Sequence, residues 1–350
     1  MNSIKNVYHS YRWRRIMIVL AVAVLLLPAF VMVLLSGTTD ISVNRIFNIL
    51  FFEDSGPAYL VIWQIRLPRL TGALLGGTGL ALAGAVLQAV LHNPLAAPTT
   101  LGISQGATFG ASLGITLLGA PSGLPGYLNL LDSTIFINLS AFVFSLLTTF
   151  IIILLARLRR AGPESIILAG VALSSLFMAG TTFLQYFADE TQLALIVHWT
   201  FGDLARASWS DLRLMAGVIF LTSIYFFFNR HSYNTLLAGD DVARSLGVNV
   251  NRLRLISMFM ASLTTAVTVT FFGILGFVGL VAPHIGRRLI GSDNRLLFPL
   301  AAVSGVAILM AADLFGQFVL DPVALPAGVV TSFFGTPVFL FLLFGKRNNG

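Results

Sequence analysis

Apolar positions fill this chain in long unbroken stretches, and the breaks between them are short. Read against Gly, Pro and charged interruptions, the stretches predict helices near 17–36, 68–90, 97–119, 133–156 and 164–187. Five more follow near 210–229, 252–272, 274–290, 297–318 and 326–344. Most approach the twenty or so residues that a hydrocarbon core of roughly 30 Å demands. The pattern therefore predicts an all-α polytopic membrane protein of about ten transmembrane helices, with residues 1–16 as a tail and 17–346 as one transmembrane domain. The seventh and eighth helices are divided only by the Gly-rich stretch Phe271–Gly279. The first run, Met17–Ser36, is longer than a signal-peptide core and lacks a small-residue cleavage pattern, so it reads as a retained helix.

Within the third stretch Gly102, Gly106, Gly110 and Gly114 recur every fourth residue, and Gly72 and Gly76 begin a similar face on the second. Small residues at this spacing let membrane helices approach closely, so packing is the expected role.

Composition agrees with a bilayer as solvent: 57% of the 350 residues are hydrophobic and 10% charged, with a mean hydropathy of +0.89. The net charge of +7 does not gather on one face, which argues against nucleic acid as partner. Ten spans put both termini on one side. Of the 21 basic residues the opposite side keeps Arg45, Arg66, Arg69, Arg206 and Arg213, and the other sixteen accompany the termini, which predicts cytoplasmic termini.

Several chemistries are missing. The only lysines, Lys5 and Lys346, follow no glycine-rich phosphate loop, so ATP, if used, is hydrolysed by another subunit. His9, His92, His198, His231 and His284 lack metal-ligand spacing, and cysteine is absent, so no metal site or cofactor is expected. Asp313 is the one carboxylate well inside an apolar run, toward its outer end. An isolated acid there is either a coupling residue of an ion-driven carrier or a structural group bonded to a neighbouring helix.

Three blocks carry a resemblance. From Arg66 the chain reads RLPRLTGALLGGTGLALAGAVLQAVLHNPLAAPTTLGISQGATFGASLG; residues 273–299 read GILGFVGLVAPHIGRRLIGSDNRLLFP; MAADLF at 310 and LPAGVVTSFFGTPVFLFLL at 325 follow. In order and spacing these resemble the FecCD-type permeases of ABC importers for iron siderophores, haem and vitamin B12, over nearly everything after residue 60. The resemblance implies the type II ABC importer permease architecture. It also implies a permease dimer (two copies or a pair of paralogues), two cytoplasmic ATP-binding subunits, and a periplasmic or lipid-anchored substrate-binding protein, in the bacterial cytoplasmic membrane.

The resemblance also assigns residues. Within a loop near 230–251, LLAGDDVARSLGV resembles the family's coupling loop of two short helices, which sits in a cleft of the ATPase. Here Gly239 suits a turn, Asp240 a helix cap, Val242, Leu246 and Val248 apolar contact and Arg244 a polar face, with Asp241 and Gly247 in the same loop. Arg66 and Arg69 resemble arginines that pair with acids on the binding protein; the alternative is anchoring by snorkelling arginines. Members that carry vitamin B12 have a further docking arginine where this chain reads ADLFGQ and offers Gln317, with Asp321 nearby. The fifth helix and the segment after it would line the path, through Thr181, Thr182, Gln185, Trp199 and Phe201; the alternative is helix packing and an aromatic belt. The family's inner gate falls in RLRRAGPES (157–165), at Pro163 and Glu164, although both also suit an ordinary helix start.

The resulting expectation is a permease, without an ATPase site of its own, that moves an iron(III)–siderophore complex into the cytoplasm. Haem or vitamin B12 import by the same mechanism is the first alternative, and an ion-coupled secondary transporter is the second.

Overall fold

The computed structural model describes residues 2–36, 41–52, 56–118, 133–158, 162–206, 208–319 and 323–344. Arg159, Arg160, Asp321 and Lys346 lie outside them. The architecture is helical. Helix α1 (Asn2–Leu35) is followed by α2 (Val43–Phe51) and α3 (Pro57–Leu60), and a π-helical turn, Val61–Arg66, leads straight into α4 (Leu67–Val90). Next come α5 (Ile103–Leu118), α6 (Ser133–Leu158), α7 (Pro163–Phe187) and α8 (Glu190–Thr200), then a 3-10 turn at Leu204–Arg206 and α9 (Trp209–Phe228). Two short helices, α10 (Arg230–Leu236) and α11 (Asp240–Ser245), precede α12 (Val250–Phe272), α13 (Val278–Ile290), α14 (Asn294–Val319) and α15 (Ala327–Phe344).

All ten predicted spans have a helix, and seven of the helices are long and apolar enough to cross a membrane among the described residues. The other three, α5, α13 and α15, have 16, 13 and 18 residues. Two of them begin later than the sequence suggested. The third starts at Ile103 rather than 97, because Pro98 opens a turn and Gly102 takes a positive φ of 74°. Gly102 is thus a turn residue rather than the first of the helical glycines. The eighth starts at Val278 rather than 274, because residues 273–277 are irregular, with Gly273 at φ 80° and Phe277 at φ 62°.

Non-helical backbone at membrane depth must be enclosed by protein and find its partners there. In both segments neighbouring groups supply part of the bonding. In the first, Ala97 N–H donates to the Thr100 hydroxyl (3.0 Å), which donates back to the Ala97 carbonyl (2.7 Å). Around the second, Ile274 forms a parallel bridge with Phe201, Asp203 N–H donates to the Phe272 carbonyl (2.8 Å), and Gly328 N–H donates to Gly202 (2.6 Å).

Helix α4 is the centre of the bundle, buried along most of its length and packed on α9, α12, α13 and α14. Its glycines decide how near the neighbours come. A Cβ on Gly77 would overlap the Gly305 and Val306 backbone of α14, and one on Gly84 would overlap the Gly279 carbonyl of α13. Residue 283 is proline, so that carbonyl has no i+4 donor, and the bare Cα of Gly84 fills the space instead. Gly106, Gly110 and Gly114 likewise press α5 onto Phe144, Ser140 and Ile137 of α6, the packing role the four-residue spacing predicts.

Helices α2, α3 and α8 were absent from the sequence reading. α8 is fixed by a capping box: Asp189 accepts from Gln192 N–H (2.8 Å) and the Gln192 side chain accepts from Asp189 N–H (3.2 Å).

Gly84→Ala is expected to destabilise the protein by about 1–3 kcal/mol, as overpacking of a close contact does. Gly217→Ala, where an added methyl meets nothing within 4 Å, should not. Thermal melting of the detergent-solubilised variants compares the two.

Candidate functional site

Two clusters of charged residues mark opposite ends of α4. Val90 closes one end and Arg69 lies near the other, 21 residues away, which is about 30 Å of helix.

At the Val90 end the loop between α9 and α12 folds into α10 and α11, the two short helices expected there. Gly239 (φ 106°) and Gly247 (φ 84°) bracket α11 in backbone conformations that side chains disfavour. Asp240 does not cap the helix as anticipated: Gly239 is the cap residue and Asp240 begins the first turn. Its carboxylate instead receives Arg254 Nη2 on both oxygens, each at 3.0 Å. Asp241 is exposed and pairs with Arg244 at 2.9 Å. Ala243 faces inward, Val248 is half-buried, and Val242 and Leu246 stand exposed one turn apart. Val242 lies on α11 and Leu246 is its C-cap residue.

The loop is tied down on several sides. Tyr233 of α10 is fully buried with its hydroxyl 2.8 Å from Ser257 of α12. Burial raises its phenol well above the usual range, so it stays protonated. Asn234 donates to Asp293 (2.7 Å) and accepts from Asn294 N–H (2.8 Å), fixing α10 to the start of α14. A cleft of about 490 Å³ lies between α11 and the facing ends of α6 and α7, lined by Arg157, Gly162 and Pro163 on one side and by Asp240, Arg244 and Arg254 on the other. Pro163 opens α7 with Gly162 as its cap, and Glu164 is exposed in the first turn, as an ordinary helix start requires.

At the other end the two arginines are engaged within the chain. Arg66 is 4% exposed, and its Nη1 donates to the Leu34 carbonyl of α1 at 2.6 Å. Arg69 Nε donates to both oxygens of Asp313, at 2.7 and 2.9 Å, and Gln317 Nε2 donates to the same carboxylate at 2.9 Å. Arg69 thus meets Asp313 through its Nε edge, with its side chain 14% exposed. The reason is burial: a carboxylate 1% exposed in a membrane helix needs a counter-charge. Gln317 completes this pair.

The residues expected along a path divide into two sets. Thr182 is exposed and Gln185 half-buried on α7, and Phe201 is partly exposed. Thr181 and Trp199 are buried within the chain. The Thr181 hydroxyl donates to the Phe177 carbonyl (2.9 Å), and Trp199 packs among Ala107, Ile196 and Val269. Arg206 lies 5.5 Å from the Trp199 ring and donates to its carbonyl at 3.2 Å. Burial lowers the guanidinium pKa from its ordinary value, with Asp203 opposing the shift.

Sequence reasoning missed Arg254 and His92 as site residues. Their partners, Val90 for one and Leu236 for the other, lie 164 and 144 residues away along the chain, beyond any local spacing rule.

A family model described as the FecCD transport family matches residues 7–345. An ABC transporter permease of Methanocaldococcus jannaschii is 46% identical, the match covering 96% of each chain. The hemin transport permease of Yersinia pestis is 35% identical over 86% of this chain and 88% of its own. Among solved structures, an inward-facing metal-chelate type ABC transporter aligns with a TM-score of 0.81 at 29% identity, covering 94% of this chain and 99% of that one.

Asp313→Ala leaves Arg69 buried beside no carboxylate, and about 3–5 kcal/mol of stability should be lost. Replacing Arg69 and Asp313 together by leucine should recover most of that loss. Chemical denaturation of the solubilised protein reads both.

Proposed function

The chain belongs to the FecCD transport family, and from that premise we propose that it carries an iron(III)–siderophore complex into the cytoplasm, powered by ATP-binding subunits docked on its α10–α11 loop. It is a membrane-spanning permease of an ABC importer. The observation that carries the reading is the α10–α11 loop: two ordered short helices with Val242 and Leu246 turned outward. Apolar side chains exposed about one turn apart on an ordered loop offer a partner helix or groove a contact face.

In this reading the Val90 end, with both termini, faces the cytoplasm, in keeping with the basic residues along it. The chain works with a second permease, and α7 supports that role. Its apolar side chains Leu176, Phe183 and Tyr186 are exposed on a membrane helix that packs mainly on α5. A binding protein delivers cargo at the Arg69 end. The weakly polar Thr182 and Gln185 guide a bulky chelate without trapping it. The metal-chelate type of the solved relative supports a metal chelate as cargo, and the Fe(3+)-citrate import permease of Bacillus subtilis, 34% identical, supports iron as the metal. The hemin permease supports haem as the second cargo to test.

The reading of Asp313 as the coupling acid of an ion-driven carrier loses support, because its carboxylate is committed to Arg69 and Gln317.

Proteoliposomes holding the assembled importer are expected to accumulate one radiolabelled iron–siderophore only with ATP on the ATPase side and the binding protein on the other. Accumulation of haem alone replaces the cargo and keeps the class. Uptake driven by an imposed ion gradient without ATP overturns the class.

A further inference from the structure

The guanidinium of Arg254 joins three elements. It belongs to the first turns of α12 and is 6% exposed. Its Nε donates to the Val90 carbonyl, at the end of α4, at 2.8 Å. Its Nη2 reaches both oxygens of Asp240, at the start of α11, at 3.0 Å each. The last carbonyls of a helix have no donors within it, and a cation there is favoured by the helix dipole.

A second residue reinforces the same junction. His92 takes a positive φ of 47° in the turn that ends α4. Its Nε2 lies 2.7 Å from the Leu236 carbonyl of α10 and 3.8 Å from Asp240 Oδ1. Both ends of the α10–α11 connection are thereby fastened to the terminus of α4. On the other side of α11 the 490 Å³ cleft stands between it and the facing ends of α6 and α7.

We propose that Arg254 is the positioning residue through which displacement of the α10–α11 loop is passed to α4 and α12, the centre of the bundle, rather than to α7; this rests on the importer reading above. A partner pressing on Val242 and Leu246 moves α11 as a body. Arg254 transfers that movement because its planar fork holds Asp240 and Val90 at once, which a lysine ammonium cannot do in the same geometry. Without it Asp240 keeps, among the described residues, His92 at 3.8 Å and Arg244 at 3.7 Å, both longer than a hydrogen bond.

The test uses the complete importer in proteoliposomes, with Arg254→Gln and Arg254→Lys beside the natural chain. The readout is cargo imported per ATP hydrolysed, with complex assembly and melting temperature measured on the same samples. The glutamine variant should lower that ratio about fivefold or more, the lower range of typical coupling between sites, and the lysine variant should fall between. An unchanged ratio in the variants overturns the proposal. So does a fall in hydrolysis and import together at constant ratio with a lowered melting temperature, which is a purely structural effect. Should the glutamine variant fail to assemble, the ratio in the lysine variant decides alone. Failure of the natural chain to import with ATP removes the importer reading itself, an outcome distinct from loss confined to the Arg254 variants.

Discussion

A peptide group inside a membrane has no water to bond, so every N–H and C=O at that depth must find its partner within protein. The rest of this structure depends on that requirement. Regular helices meet it alone, but residues 97–102 and 273–277 leave the helical conformation and have to be enclosed. The second segment is closed by three pieces of chain distant in sequence: the residues after α8, the end of α12 and the first turn of α15, meeting at Gly202, Ile274 and Gly328. A Cβ on Gly202 or Gly328 would overlap the Ile274 carbonyl, so the joint exists only because those positions are bare.

The same scarcity of solvent governs the charges. Arg66, Arg69, Arg254 and Asp313 are all nearly buried, and each has a partner supplied by a different element. A charge in low dielectric binds its counter-charge more strongly than it would in water, and removal of either partner is correspondingly costly. Such groups make stiff joints between helices. At one end of α4 the joint ties it to α14, and at the other to α11 and α12.

Stiff joints at both ends of one central helix suit a transporter. Alternating access requires parts of the bundle to move as bodies, and bodies need firm internal connections and looser boundaries between them. Close glycine contacts with α13 and α14 make α4 part of one body. The outward α7, and the cleft beside its first residues, form a looser boundary. The short helices α10 and α11 sit between that body and whatever presses on them from outside.

The sequence by itself determined that the chain lives in a bilayer, roughly where its helices run, and which family it resembles, because apolar length and small-residue spacing are local properties. It also marked Gly106, Gly110 and Gly114 as a packing face, and it held a legible signal for α8 in Asp189 and Gln192. Only the tertiary structure decided where α5 and α13 begin, since Pro98 and the Gly273–Phe277 stretch break helix in ways that depend on what surrounds them. It likewise decided that Arg69 answers Asp313, that Gln317 serves the same carboxylate, and that Asp240 holds Arg254 instead of capping α11. Those partners stand 244, 4 and 14 residues apart. The physical reason is that a buried charge takes whichever counter-group the packing of helices brings within 3 Å, and packing is decided by the whole bundle at once.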